Sequence, residues 1–407
     1  MASTVDNTTN ESWVWTALSY ANPLEYIPFL NKEKCEVMLE YSETGAPKTF
    51  SNESRLIDVI KSSCPSLYVK NQGPAVFHPS PMLPTGDFQT LYCGYMNVKV
   101  TPESNVKYER ELIIAEDGGT ISLDWAVSKN DLKPNTPVCV LLPGLQGGSH
   151  EFYIRTVVKK LTSGTNPYRV VIVNHRGCAR TPLTSPRLYS AGHTADFKMV
   201  VNKLVERYPE AKFVCAGFSL GSNLIVKYIG EEGEKVPFVA AVSVCNPFDL
   251  RVSGAALNRP RFFNKYIYLP RLTGSLQKFY ARFKDVISAG DCEFDDEKII
   301  KSKTFEEIDN NVTAKAFGYK DCYEYYDKSS CNPYLEKVSI PLLCINTADD
   351  PITPPMSINF SSFKENPNLV LALVPYGGHI GFFESFSGTT WHQKPISEFF
   401  EAVLNQH

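Results

Sequence analysis

The chain has 407 residues, 43% hydrophobic and 21% charged, with a formal net charge of -3, which fits a globular protein of one elaborated domain or two and excludes a disordered chain. The slightly acidic balance excludes a nucleic-acid binder built on a general excess of Lys and Arg, so any basic patch is local. Eleven cysteines without a CxxC pair, with Cys139, Cys215, Cys245 and Cys344 inside apolar runs, read as thiols used as small hydrophobes in a reducing, cytoplasmic compartment.

Residues 1–12 are polar and lack the basic stretch and apolar run of a secretory signal. The apolar stretch 13–30 is broken by Asn22, Pro23, Glu25 and Pro28, so no membrane-spanning helix is expected there. In such a compartment the sequons at Asn7, Asn10, Asn52, Asn311 and Asn359 are chance matches. Residues 1–95, rich in Pro and polar side chains, read as an N-terminal extension. Strand-like stretches follow at 96–100, 108–115 and 120–126, the last two parted by Asp117-Gly118-Gly119, and suit an antiparallel start to a sheet. Then strands at 138–142, 170–174, 213–217 and 238–244 alternate with helices near 151–161, 194–207 and 220–229. This order, with continuous apolar strands, predicts an α/β fold: a mostly parallel twisted sheet with helices on both faces. From about 250 to 335 the alternation lapses into a mainly helical insertion; it resumes with strands at 342–346 and 369–374 and a last helix near 396–404.

Gly217-Phe218-Ser219-Leu220-Gly221 has the G-x-S-x-G spacing between an apolar strand and a helical run, the context that distinguishes a nucleophile turn from an incidental Gly-rich one. A serine hydroxyl needs a base, and the base an orienting acid, and in the fold that uses this turn they follow the serine as acid, then His. Of the histidines after Ser219, His379 lies in Gly377-Gly378-His379 directly after a strand, whereas His392 abuts the last helix and His407 ends the chain. The acid is expected after strand 342–346, where Asp350-Pro351-Ile352-Thr353-Pro354 favours Asp350. Asp349 is then a turn or capping residue, and Asp249 is held in reserve, with a helix cap as its ordinary reading. Backbone amides for a developing oxyanion are expected from Leu220 and, in the loop Pro143-Gly144-Leu145-Gln146-Gly147-Gly148, from Leu145. No Lys-Ser/Thr pair follows that loop, so it does not read as a phosphate loop.

Between 259 and 284 stand seven basic residues (Arg259, Arg261, Lys265, Arg271, Lys278, Arg282, Lys284), no acidic one and seven aromatics. The segment reads either as a solvated lid over the pocket or as a peripheral contact with an anionic membrane or lipid droplet.

Taken together, Gly86-Asp87-Phe88-Gln89-Thr90, the loop from Pro143 to Glu151, Asn174-His175-Arg176-Gly177-Cys178, Gly217 to Gly221, Asn246-Pro247-Phe248-Asp249-Leu250, Phe317-Gly318-Tyr319, Asp349-Asp350-Pro351 and Gly377-Gly378-His379 resemble the type 4 subfamily of α/β-hydrolases over about residues 80 to 390. The resemblance implies an α/β-hydrolase domain over 96–407 with a lid at about 250–335, the triad Ser219, Asp350 and His379, no metal or organic cofactor, and a lipid-like ester as substrate. Members of this group include yeast monoacylglycerol lipases and medium-chain alcohol acyltransferases, and animal enzymes acting on monoacylglycerols or phospholipids. The expected activity is therefore a carboxylic ester hydrolase of the acylglycerol lipase kind, with alcohol acylation, phospholipid cleavage or a non-catalytic lipid-binding scaffold as alternatives. Two family features are missing: the N-terminal membrane helix of animal members, and the His-x-x-x-x-Asp signature attributed to acyl transfer.

Overall fold

The computed structural model describes residues 35–407 except 52, 100, 102–103, 129–130, 164–166 and 386–388. The segments 1–12 and 13–30 and the sequons at Asn7, Asn10 and Asn52 lie outside the described residues. Nine strands form one sheet: β1 (Met38–Tyr41), β2 (Tyr108–Ile114), β3 (Thr120–Ala126), β4 (Val138–Leu142), β5 (Arg169–Asn174), β6 (Phe213–Phe218), β7 (Phe238–Val244), β8 (Leu342–Thr347) and β9 (Leu369–Val374). Their spatial order is β1-β9-β8-β7-β6-β4-β5-β3-β2. The six strands from β9 to β5 are mutually parallel, and β1, β3 and β2 pair antiparallel at the two ends.

Alternate side chains of one strand feed two cores, because successive Cβ atoms point to opposite faces. In β4, Cys139 and Leu141 pack with Phe152, Val157 and Phe399; Val138, Val140 and Leu142 pack with Val200, Leu204 and Ile225. The second set lies under α4 (Ala195–Arg207) and α5 (Leu220–Glu232). The first lies under α3 (Phe152–Thr162) and the last helix, Gln393–Leu404, where α1 (Leu56–Ser63) also packs. All eleven cysteines are free thiols, and all but Cys292 are buried.

Two features differ from the pattern read in the sequence. Of the strand expected at 96–100, the described residues 96–99 form none, because Met96 ends helix α2 (Gly86–Met96). Its buried positions Gln89, Cys93 and Met96 recur every three or four residues, a helical period masked by surrounding aromatics. The segment before residue 95 is also woven into the sheet: β1 closes one edge by pairing Met38 with Leu373 and Tyr41 with Val370. The inserted segment is helical, including α6 (Leu250–Leu257), α7 (Leu269–Ile287) and α8 (Cys322–Ser329). Among the described residues no helix is long and apolar enough to cross a membrane.

Chain order reverses direction between β4 and β6, neighbours that feed helices on opposite faces, and loops beyond the carboxyl ends of such strands form a crevice. Leu142 pairs with Gly217, and Phe218 with Val244. The loops that begin at Pro143, Ser219 and Cys245 therefore meet at one point.

Candidate active site

Ser219 caps α5 with φ 53° and ψ −121°, a strained conformation for a residue bearing a Cβ. Its amide donates to Val244 O at 2.9 Å. The Ser222 hydroxyl braces the same turn, joining Gly217 O at 2.6 Å and accepting from Val244 N at 2.9 Å. Both flanking glycines are sterically required. A Cβ on Gly221 would lie 2.3 Å from Leu142 O, and one on Gly217 would lie 2.5 Å from Gly221 O. The tight turn leaves the serine side chain as a wall of the crevice.

His379 Nε2 is 2.9 Å from Ser219 Oγ, and Nδ1 is 2.8 Å from Asp350 Oδ2. A carboxylate only accepts, so Asp350 fixes the proton on Nδ1 and leaves the Nε2 lone pair facing the hydroxyl. Asp350 is itself held by Ile352 N and Thr353 N on Oδ1, both at 2.8 Å, and by the Thr353 hydroxyl on Oδ2 at 2.7 Å. Its side chain is fully buried, with that of His379 10% exposed. Cys245 Sγ, Asp350 and His379 offer possible metal-ligand atoms within 4.8 Å of one another. The carboxylate's acceptor sites are nevertheless taken by these donors, and Sγ accepts from Ile380 N at 3.3 Å.

Sequence spacing gave no role to the residues that place the histidine. His379 N donates to Thr90 Oγ1 at 2.8 Å, and Thr90 Oγ1 donates to Gly86 O at 2.6 Å. Asp349 Oδ1 accepts from Gly378 N at 2.8 Å, so it ties the acid loop to the histidine loop and does not merely cap a turn. Loss of hydration pushes its carboxyl up to about 7. The loops are so close that a Cβ on Gly86 would lie 2.0 Å from Asp349 O, and one on Gly378 would lie 2.2 Å from Gly86 O. Gly86-Asp87-Phe88-Gln89-Thr90 was visible as a motif, but only its position against these loops reveals its use.

The other candidates lie elsewhere. Asp249 caps α6, accepting from Val252 N at 3.0 Å. His392 is buried against Phe218 and Phe382, where loss of hydration pushes its imidazole down to about 3. His407 lies beside Phe50.

Ser219, Leu145 and Leu220 line one cavity of about 150 Å³, walled mostly by apolar side chains such as Leu188, Leu276, Phe279 and Ile308, with Ser190, Ser253, Thr313 and Thr353 among the polar ones. In the loop after β4, Gly144 N donates to Tyr153 Oη, Gln146 N to Tyr189 Oη and Gly147 N to Gly144 O. Among the described residues no acceptor meets the Leu145 amide. This loop abuts the serine, since a Cβ on Gly144 would lie 3.1 Å from Ser219 Cβ. One buried carboxyl faces the cavity. Asp309 accepts from Tyr326 Oη at 2.8 Å and Thr313 Oγ1 at 2.7 Å, and burial pushes it up to about 6.

A family model described as alpha/beta hydrolase fold matches residues 137–386. Human phospholipase ABHD3 is 32% identical over 348 residues, covering 83% of this chain and 82% of its own. The monoacylglycerol lipase of Saccharomyces cerevisiae is 33% identical over 365 residues, 78% of each chain. The same yeast's medium-chain fatty acid ethyl ester synthase/esterase 2 is 31% identical over 390 residues, 80% of this chain and 85% of its own. With more than half of its length matched by the family model, and with a serine, histidine and aspartate in contact where β6, β8 and β9 end, the chain belongs to the alpha/beta hydrolase fold family.

Proposed function

We propose that the protein is a serine carboxylic ester hydrolase acting on lipid-like esters through an acyl-enzyme on Ser219. The observation that carries this reading is the unbroken hydrogen-bonded line from Ser219 Oγ through His379 to buried Asp350, set in the wall of an apolar cavity. Ser219 Oγ attacks the ester carbonyl as its proton passes to His379 Nε2. The Leu145 and Leu220 amides serve as donors to the carbonyl oxygen as it gains charge. The carbonyl–alkoxy bond then breaks, the leaving oxygen takes the proton from Nε2, and the acyl group stays on Oγ. Water, deprotonated by the same nitrogen, adds to the acyl carbonyl and releases the acid, restoring the serine.

The apolar walls favour an aliphatic acyl chain, and relatives named monoacylglycerol lipase, phospholipase and ethyl ester synthase/esterase support a lipid ester. A monoacylglycerol is the preferred substrate in this reading. An alcohol replacing water at the second step makes a new ester from the same intermediate. A fluorophosphonate probe should label the wild type and not Ser219→Ala, and a panel of monoacylglycerols and p-nitrophenyl esters with and without ethanol should separate acid from ester product. Equal labelling of both proteins would overturn the nucleophile. Labelling without turnover of any ester would favour a lipid-binding scaffold.

Peripheral lipid contact through 259–284, on a cytoplasmic membrane or lipid droplet, is supported by Phe262 (66% exposed) and Tyr266 (60% exposed) beside exposed Arg259, Arg261 and Lys265. Neutralising those three cations should weaken binding to anionic liposomes; unchanged binding would remove the contact.

A further inference from the structure

The cavity beside Ser219 has two unlike walls. Leu188, Leu276, Phe279 and Ile287 belong to one apolar group, whereas Leu220, the residue after the nucleophile, packs with Ala191, Tyr325 and Tyr326 in another. The second wall carries polar groups that the serine chemistry leaves unused. Ser190, 4% exposed, lines the cavity, and among the described residues its Oγ has no hydrogen-bond partner. Asp309, 8% exposed, lines it where the two walls adjoin, since the preceding Ile308 belongs to the first and Tyr326, its hydrogen-bond donor, to the second.

Ser190 is anchored close to the reacting atoms. On one side of it Tyr189 Oη accepts from Gln146 N at 3.1 Å, next to Leu145. On the other, Ala191 O accepts from Asn223 Nδ2 at 3.0 Å, and Asn223 N donates to Ser219 O at 3.3 Å. Ser190 therefore bridges the loop and the helix that carry the Leu145 and Leu220 amides. Asp309 joins the same wall through the tyrosine pair: Ala191 N donates to Tyr325 Oη at 3.0 Å, and the adjacent Tyr326 Oη donates to Asp309 Oδ2 at 2.8 Å.

A buried carboxylate is costly without a cation or enough donors. Among the described residues no cation pairs with Asp309, and the titratable groups around it are Tyr325, Tyr326, Cys322 and Glu306. Its two donors, Thr313 Oγ1 on Oδ1 and Tyr326 Oη on Oδ2, leave acceptor capacity on both oxygens, because each carboxylate oxygen accepts about two hydrogen bonds. Asp309–Thr313 is a π-helical turn, a distortion frequent at functional sites. One wall of a mostly apolar space thus offers an unpartnered hydroxyl and spare carboxylate acceptors, a complement to ligand hydroxyls and not to hydrocarbon.

We propose that Ser190 and Asp309 select the alcohol half of the substrate by binding its free hydroxyls, so that the site prefers polyol esters to esters of simple alcohols, and polyols to simple alcohols as acyl acceptors. The proposal rests on the ester-hydrolase reading and supplies a physical basis for its monoacylglycerol preference. The acyl chain lies along the wall of Leu276 and Phe279, and the polyol along that of Ser190 and Asp309. In acyl transfer a polyol hydroxyl adds to the acyl carbonyl and gives its proton to His379 Nε2. The bond from the acyl carbon to Ser219 Oγ then breaks, and Oγ takes that proton.

The test compares 1-octanoylglycerol with propyl octanoate, which lacks only the two hydroxyls, both kept monomeric, on the full chain and on Ser190→Ala and Asp309→Asn. The wild type is expected to prefer the glycerol ester in kcat/KM by roughly tenfold or more, the effect of hydrogen bonds to a charged group. That ratio should fall by about tenfold in Asp309→Asn and by about three- to tenfold in Ser190→Ala. A second readout divides one acyl-enzyme between two acceptors: with p-nitrophenyl octanoate and equal glycerol and 1-propanol, the wild type should form mainly octanoylglycerol, and both variants should shift towards propyl octanoate. Unchanged ratios in the variants, or losses equal for both esters, would overturn the selection and leave the hydrolase reading intact. A labelled, active wild type without preference for the glycerol ester would do the same. A wild type that cleaves neither ester and is not labelled at Ser219 would overturn both readings. Should Asp309→Asn fail to fold, Ser190→Ala decides, since it removes a hydroxyl that has no partner among the described residues.

Discussion

At the scale of single residues, the proposed chemistry turns on how His379 is oriented. Asp350 sets its tautomer, and an amide in place of the carboxylate presents an N–H or a neutral oxygen where Nδ1–H needs an anion. Asp350→Asn should lower kcat by about 10⁴-fold with the fold preserved, as expected when the wrong tautomer is favoured; stopped-flow or steady-state assay of p-nitrophenyl ester cleavage measures it. Thr90 touches neither serine nor substrate, but its hydroxyl accepts from His379 N. Thr90→Val should reduce kcat by about 10- to 100-fold through misplacement of the ring, with KM little changed, and Thr90→Ser should restore most of it. Equal losses in Val and Ser variants would contradict a positioning role. Ser219, His379 and Asp350 were legible because each follows an apolar strand in the order this chemistry uses. Thr90 and Asp349 were not, because their function depends on a helix and a loop distant in sequence meeting in space.

At the scale of elements, the turn between β6 and α5 is the most constrained part of the site. Its serine is held at positive φ by the backbone of β7 and by Ser222, while Gly221 admits the carbonyls of Leu142 and Pro143 and Gly217 admits the turn's own Gly221 carbonyl. Gly221→Ala should destabilise the protein by about 3 kcal/mol or prevent its accumulation, since the added methyl meets backbone and not a flexible side chain; urea unfolding of the purified variant checks this. Strand positions were readable because the central strands are continuously apolar and short. Helix α2 was not, because its aromatics obscure the three-to-four residue spacing of its buried face. The motif Asn174-His175-Arg176-Gly177-Cys178 was equally visible, yet Arg176 proves to be a buried fork that joins Asp117 of the β2–β3 turn to Asp196 of α4.

For the whole molecule, the N-terminal part of the described chain is tied to the site. β1 closes the sheet against β9, whose far end leads into the His379 loop, and α2 wedges under the acid and histidine loops. Asp349 at that junction makes stability depend on pH. Its carboxyl is raised from an ordinary value near 4 to about 7 in the folded state, so the native protein binds this proton more tightly than the unfolded one. Its contribution is most favourable below about pH 4 and is lost as pH rises through about 7. Asp349→Asn keeps an oxygen for Gly378 N and removes the titration. Its melting temperature should therefore rise relative to wild type on going from about pH 5 to about pH 8, as calorimetry would record; parallel profiles would contradict it.

In the proposed chemistry an acyl group passes through Ser219. Rapid quenching of the wild type with p-nitrophenyl octanoate, followed by digestion and mass spectrometry, should find the octanoyl group on the peptide containing Ser219, with a burst of p-nitrophenol matching the enzyme concentration when deacylation is the slower step. Turnover with octanoyl found on another residue, or persisting in Ser219→Ala at the wild-type rate, would contradict it.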